Sequence, residues 1–336
     1  MNETLTRIST RPLTENDFPA VVNIDAFNSG RRRPGFFEKR LLAAMAEPDY
    51  FIYIGHDVEG ELKGYLLARL LEGEYGAKMP VAVLDAIGVE PSCKGLGIGR
   101  QLLQSFIEIL EHKQIPEIHT EVDWRNTDFL NFLSAAGFLL APKQILECEV
   151  GFVDTTLQGG DVTIGKQEID YSDPVGDEAS ALARDNVYCR TLMQEDLPAL
   201  IRIDRHITGL DHSGYYQRKV REVVEETGIR VSMVAEIKGQ ICGFIMARVD
   251  FGEFDRTEPT AVLDTFGVDP AYGHQQVGSA LLSQLLANLT SLRLEKIRTV
   301  VGADHFDILN FLMKNGFRTS QQVAFVKRIE GRGAGG

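Results

Sequence analysis

The chain repeats itself. Residues 11–20 read RPLTENDFPA and residues 190–199 read RTLMQEDLPA, an offset of 179. The same offset carries Ile24-Asp25 onto Ile203-Asp204, Gly64 onto Gly243 and Ala68-Arg69 onto Ala247-Arg248. It also carries VLDAIGVEP (83–91) onto VLDTFGVDP (262–270) and NFLSAAGF (131–138) onto NFLMKNGF (310–317). So constant an offset leaves almost no net insertion between two copies. A period this long is a whole domain rather than a short solenoid unit. The 336 residues are therefore expected to hold two domains in tandem, 1–154 and 190–330. Between them, 155–189 is acidic, holds Gly and Pro, and reads as a linker. Within it the VTI run has some strand character. The final GRGAGG is expected to fray.

One copy reads as a mixed α/β layout. A Thr at 14 followed by an acid at 17 resembles a capping box, so a helix is expected over 15–27. A second helix is expected over 36–46. YFIYIGHDVEGELKGYLLARLL predicts two strands with a turn near Glu59-Gly60. PVAVLDAIGV predicts another strand, Gly97 to Lys113 a helix, EIHTEVDW a short strand, and Asn126 to Ala136 a helix stopped by Gly137. ILECEVGF is expected to close the copy's own sheet. With 44% hydrophobic residues, each copy has enough apolar side chains for its own core.

Composition removes several function classes. The start, MNETLTRIST, lacks the apolar run of a secretory signal, and nothing approaches a membrane-spanning apolar length. Cys93, Cys148, Cys189 and Cys242 are widely spaced, with no CxxC and no histidines at zinc-ligand spacing. Free thiols in the cytoplasm, no metal and no disulfide framework are expected. The net charge of −13 argues against nucleic-acid binding and is compatible with a cationic substrate.

The informative chemistry lies in GVEPSCKGLGIGRQLL, residues 88–103. Glycines let a backbone come close to an anion, and the helix that follows adds partial positive charge at its start. Gly95, Gly97 and Gly99 sit there with Lys94 and Arg100 beside them. A dinucleotide fingerprint belongs to the first βα unit with an acid about 20 residues on. Here the loop follows the fourth strand, which disfavours NAD. The missing G-K-[ST] excludes a P-loop.

This segment resembles the GNAT acetyltransferase superfamily, whose signature is [Q/R]-x-x-G-x-[G/A] after a V-x-P strand end. Here it reads Lys94-Gly95-Leu96-Gly97-Ile98-Gly99, with Lys in the usual Gln/Arg place. EVDWRNTDFLNFLSAAGF (121–138) looks like the family's closing motif. The resemblance implies acetyl-CoA as cosubstrate, without a metal. It implies that the strand end Ile87, Gly88 and Val89 pairs with the pantetheine arm, through the backbone of Ile87 and Val89. It implies that the amides from Lys94 to Arg100 cradle the pyrophosphate and that Asn126 bonds the pantetheine. Glu121 matches the base of ribosomal-protein N-terminal acetyltransferases of the superfamily, and a backbone N–H near Val89 would meet the developing oxyanion. Asp123, two residues on and on the same side, is a second candidate for base or amine contact. The family often places a Tyr acid in the last helix, where this chain has Leu133 and Leu312.

The second copy departs further. Gly97 becomes Gln276, Lys94 becomes Gly273, Glu121 becomes Val300 and Asn126 becomes His305. It is expected to bind acyl-CoA poorly or not at all, and to shape the acceptor site or stabilise the pair. Asp85 recurs there as Asp264 and Asp25 as Asp204. Recurrence in a copy that has lost other functional residues suits structural hydrogen bonds, with catalysis by Asp85 as the alternative. Tyr215-Tyr216 and Trp124 are expected to pack. The reading is an N-acetyltransferase acting on an amine-bearing small molecule or a protein N-terminus or lysine, as a monomer or homodimer. The alternative is a non-catalytic acyl-CoA-sensing or partner-binding module.

Overall fold

The computed structural model describes residues 8–30, 32, 34–46, 48–71, 80–150, 187–221, 223–224, 229–250 and 260–329. Its described residues fall into two units. One takes those up to Pro142 and those from Gln321 onward, and the other takes those from Lys143 to Ser320. Most of the expected linker, the VTI run and the GRGAGG tail lie outside the described residues.

The first unit runs β1 (Ile8–Pro12), α1 (Phe18–Ser29), α2 (Pro34–Ala46), β2 (Phe51–Val58), β3 (Glu61–Leu71), β4 (Val81–Val89), α3 (Ile98–His112), β5 (Glu117–Asp123), α4 (Thr127–Ala135) and β6 (Leu139–Leu140). The second unit starts with β7 (Lys143–Glu149). It continues with β8 (Tyr188–Thr191), α5 (Leu197–Thr208), α6 (Ser213–Arg221), β9 (Met233–Ile237), β10 (Gln240–Asp250), β11 (Thr260–Val268), α7 (Val277–Ser291), β12 (Lys296–Gly302), α8 (Phe306–Lys314) and β13 (Arg318–Thr319). The last strand, β14 (Gln322–Arg328), belongs to the first unit. The sheets read β1-β2-β3-β4-β5-β14-β6 and β8-β9-β10-β11-β12-β7-β13.

This corrects the expected boundaries at 154 and 190. The repeats exchange their closing strands. ILECEVGF does not close its own copy, because β7 lies antiparallel to β12, with Ile145 opposite Val300. In return β14 lies antiparallel to β5, with Ala324 opposite Glu121 and Gln322 opposite Asp123. Neither connection has the geometry of a tight hairpin. A two-residue hairpin needs positive φ at its centre. Ala141-Pro142 and Ser320-Gln321, the residues between each short strand and its closing strand, are not among the positive-φ positions. At both places the chain runs on instead of reversing.

Side chains alternate along each strand, so β3 serves two cores. Leu66, Ala68 and Leu70 pack with Ile98, Leu102 and Phe106 of α3. Tyr65 and Leu67 pack with Val21, Val22 and Ile24 of α1 and Phe36 and Phe37 of α2. The helix expected at 15–27 begins as a single 3-10 turn, Glu15–Asp17, that runs into α1. Asp17 fixes this start. It accepts from the Thr14 backbone N–H and hydroxyl, both at 2.8 Å, and from two Arg11 nitrogens at 2.8 Å. The Arg11 bonds outweigh burial and hold its carboxyl down at about 2. Arg190 and Asp196 repeat the fork at 2.7 Å.

The repeated pair Asp25 and Asp204 are buried, and each accepts a phenol hydroxyl. Tyr65 donates to Asp25 at 3.0 Å and Tyr216 donates to Asp204 at 3.3 Å. The two tyrosines are not equivalents. Tyr65 of β3 corresponds to Phe244, and Tyr216 of α6 corresponds to Phe37. The aromatic pair is edge-on in both units, at 5.8 and 5.6 Å, but its hydroxyl has changed sides. Tyr216 is packed as expected, whereas Trp124 is 58% exposed, against expectation.

A bulge opens the first sheet. Leu67 pairs with Ala86 and Ala68 with Leu84, so Asp85 has no opposite residue. A bulge bends its strand. Here β4 and β5 pair only at Ala82–Ile118 and Val83–His119 before they part. The Asp85 carboxylate is fully enclosed. It takes Arg69 Nε and Nη2 at 2.8 Å each, with Arg40 at 3.8 Å. The second unit repeats the device with Asp264, Arg248 and Lys219. Among the described residues, no helix is long and apolar enough to cross a membrane.

Two outcomes are expected. A fragment of residues 1–150 keeps β7 but cannot fold it back, so it should sediment as a strand-exchanged dimer; a folded monomer would contradict the turn argument. Asp85→Asn leaves two enclosed guanidinium groups without their anion, which should cost roughly 3 kcal/mol. Thermal unfolding should then fall by about 10 °C. An unchanged midpoint with lost activity would move Asp85 into the chemistry.

Candidate active site

The parting of β4 and β5 leaves a cavity of about 790 Å³ within the first unit. Its position follows from strand geometry. Glu90 N–H donates to Lys63 O of β3 at 2.8 Å. Successive backbone groups point to opposite edges of a strand, so the N–H and C=O of Val89 and Ile87 face the side that β5 has vacated. The Thr120 hydroxyl donates to Leu84 O at 3.0 Å, at the point where the strands separate. Gly88 is required for packing. A Cβ there would lie 2.5 Å from the Tyr65 ring, and one at Gly267 would lie 2.8 Å from Phe244.

The glycine loop forms one mouth of the cavity. Lys94, Gly95, Gly97, Ile98, Gly99 and Arg100 all line it; Leu96 is 69% exposed and does not. Gly95 and Gly97 both have φ of 84°. An added Cβ at either would meet nothing within 4 Å, so crowding by the chain does not demand glycine. The backbone conformation and the open space above it do. Helix α3 starts at Gly97 with no side chain on its first N–H groups, leaving them and the helix dipole to an anion.

Carboxylates also line the cavity, among them Asp25, Asp85, Glu121 and Asp123. Asp85 is held by its arginines and Asp25 by Tyr65. Asp123 takes the backbone N–H and Nε of Arg125 at 2.9 Å and its Nη2 at 2.6 Å, which neutralises it and fixes the turn into α4. Glu121 is half-buried on β5 beside β14. Asn126 caps α4, its Oδ1 accepting from Phe129 N–H at 3.2 Å. Leu133 is fully buried in the core, so the position where the resemblance looks for a Tyr is a packing position.

The structure thus brings the expected site residues together around one cavity, apart from Leu96. The sequence reading missed Thr120 and Asn28, which also line it. Thr120 has a signal in the repeat, because Thr299 makes the same bond to Leu263 O at 2.9 Å. Asn28 has none, because its equivalent is Ile207.

The second unit keeps the frame and changes the contents. His274 and Gln276 hold the positive φ of Gly95 and Gly97, at 62° and 59°. Lys94 and Arg100 are replaced by Gly273 and Ser279. Ile87 is replaced by Phe266, which stacks on Phe311 at 5.3 Å. Among the described residues, no cluster of His, Cys, Asp and Glu is arranged to hold a metal ion.

Comparison with known proteins agrees with this geometry. The family model described as Acetyltransferase (GNAT) family matches residues 15–138 and again 197–317. No curated protein matches the sequence. Among solved structures, a GCN5-related N-acetyltransferase from Sphaerobacter thermophilus has 14% identity and a TM-score of 0.62, covering 96% of each chain. A tandem GNAT protein from the clavulanic acid biosynthesis pathway has 13% identity and a TM-score of 0.61, covering 96% of this chain and 99% of its own. At such identity these structures share the fold, while the family model spans most of both repeats. The chain belongs to the GNAT acetyltransferase family, as two GNAT domains in tandem.

Proposed function

We propose that the first unit is an acetyl-CoA-dependent N-acetyltransferase acting on a primary amine, a small molecule or a protein N-terminus or lysine. The observation that carries this reading is one cavity lined both by an uncapped, glycine-rich helix start and by carboxylates. The residues present fit acetyl-CoA. Lys94, Arg100 and the amides from Lys94 to Arg100 suit a pyrophosphate. The exposed edge of Ile87 and Val89, beside Gly88, suits the amides of a pantetheine arm, which add to a strand edge as a peptide does. Asn126 has its oxygen committed to the cap, so its NH₂ is the group that meets the arm.

Bound acetyl-CoA supplies an activated thioester. Glu121 then serves as the base, directly or through water, that frees the acceptor amine from its ammonium form. Glu121 is favoured over Asp123 because Asp123 is neutralised by Arg125. Asp85 is placed as a support, through the bulge that opens the cavity. A backbone N–H near Val89 donates to the carbonyl oxygen as it gains charge. In the second unit, Gln276 and the Phe266–Phe311 stack stand where the first unit offers open loop and cleft. On this reading it binds no acyl-CoA, and its β7-for-β14 exchange makes it a support for the first.

Two variants test the assignment. Gly97→Gln copies the second unit. It should lower acetyl-CoA affinity at least ten-fold by calorimetry, with a stability cost of about 1 kcal/mol for the left-handed conformation. Unchanged affinity would remove the cradle from the proposal. Glu121→Gln should cut turnover by roughly 10²–10⁴ while leaving acetyl-CoA affinity alone, the contribution of a general base. If wild type binds acetyl-CoA but acetylates no amine or lysine peptide, the acyl-CoA-sensing alternative gains.

A further inference from the structure

We propose that Thr120 and the Asp85 bulge limit the acyl group taken by the first unit to two or three carbons, an inference that rests on the acyl-transfer reading. The cleft between β4 and β5 is blind at one end. The strands pair at Val83–His119. One residue further on, the Thr120 hydroxyl donates to Leu84 O at 3.0 Å. Beyond that bond the strands part. Leu84 and Thr120 both line the cavity, and they are 1% and 3% exposed. The Thr120 side chain therefore stands across the cleft as its end wall.

The bulge sets the depth in front of that wall. Ile87 lies opposite Leu66 and Leu84 opposite Ala68, so three steps along β4 cover two along β3. The length from Ile87 to Leu84 is thereby about 7 Å, against about 10 Å for three regular strand steps. An arm that bonds Ile87 must fit the rest of the thioester into this length. An extended chain advances about 1.2 Å per bond, so the five bonds from the arm's last amide nitrogen to an acetyl methyl take about 6 Å. Propionyl fills the remainder, and butyryl meets Thr120. The chain cannot turn aside. Leu103 and Val122, buried in the same core as Leu84, close one face. On the other face the enclosed Asp85 carboxylate is tied to Arg69, and displacing it would separate the pair.

The second repeat separates the wall from its use. Thr299 donates to Leu263 O at 2.9 Å, and Asp264 is the extra residue of the matching bulge. There, however, Phe266 takes the position of Ile87 and stacks on Phe311. The wall and its depth are thus properties of the fold, present in both units. They become a gauge for an acyl chain in the first unit, where the edge at Ile87 leads to them.

The test measures binding by the full chain, so no acceptor need be known. CoA, acetyl-CoA, propionyl-CoA and butyryl-CoA are titrated by calorimetry into wild type and Thr120→Ser. Serine keeps the hydroxyl for Leu84 O and vacates one methyl group of the wall. In wild type the dissociation constant of butyryl-CoA should exceed that of acetyl-CoA by roughly ten-fold or more, because one misfitting methylene is worth about 10–200-fold. Propionyl-CoA should bind much as acetyl-CoA does. In Thr120→Ser the butyryl-to-acetyl ratio should fall toward one. CoA reports in each protein whether the arm and pyrophosphate are still held. A wild-type ratio near one would overturn the proposal, whatever the variant does. So would an unchanged ratio in a Thr120→Ser protein that binds CoA. If that variant does not fold, the wild-type acyl series decides alone. If wild type binds neither CoA nor acetyl-CoA, the acyl-transfer reading fails first, and the gauge falls with it.

Discussion

The site depends on a carboxylate enclosed between two strands. Asp85 is the extra residue of a bulge, and Arg69 and Arg40 hold its charge. An enclosed anion without partners is expensive, and its partners are equally costly to strand. The bulge therefore cannot relax into a regular ladder without separating those charges. Because it persists, β4 bends away from β5 and the backbone of Ile87 and Val89 loses its neighbouring strand. The cavity follows from that bend, and the glycine loop is then placed at its mouth by the first turn of α3. The second unit contains the same lock without the same cavity contents. The lock is thus part of the fold, and the chemistry is added by what lines the opening.

Much of this was legible in the sequence. The offset of 179 fixed the number of domains, and the elements of each copy were found in order. The glycine loop and Glu121 carried the family. Asp85 and Asp25 persist in a copy that has lost Gly97 and Glu121, and both are held by internal partners. The transposed hydroxyl of Tyr65 and Tyr216 was less visible, because each position taken alone looks like an ordinary Phe-to-Tyr difference. Only their shared carboxylate shows that one replaces the other.

The strand exchange was not legible from periodicity. KQILECE and QVAFVKR both alternate as a closing strand should, and β5 and β12 offer equivalent edges to either one. Alternation specifies which face is buried, not which sheet receives the strand. The available signal lay in the connections, Ala141-Pro142 and Ser320-Gln321, which lack the residues that a tight hairpin requires. Asn28 was missed for a different reason. It bonds a backbone carbonyl sixty-one residues away, and a backbone acceptor leaves no mark on the sequence.

The exchange also sets an order of events during synthesis. The strand beside Glu121 follows it in the chain only after the whole of the second repeat up to Ser320 has been made. At about 5–20 residues per second, roughly ten to forty seconds separate the emergence of β5 from that of β14. Throughout that interval β5 presents an unpaired edge, the kind that invites pairing with a foreign strand. The nascent first unit must therefore wait, sheltered or briefly occupied, for its own C-terminal segment. The first unit is thus begun before the second and completed after it.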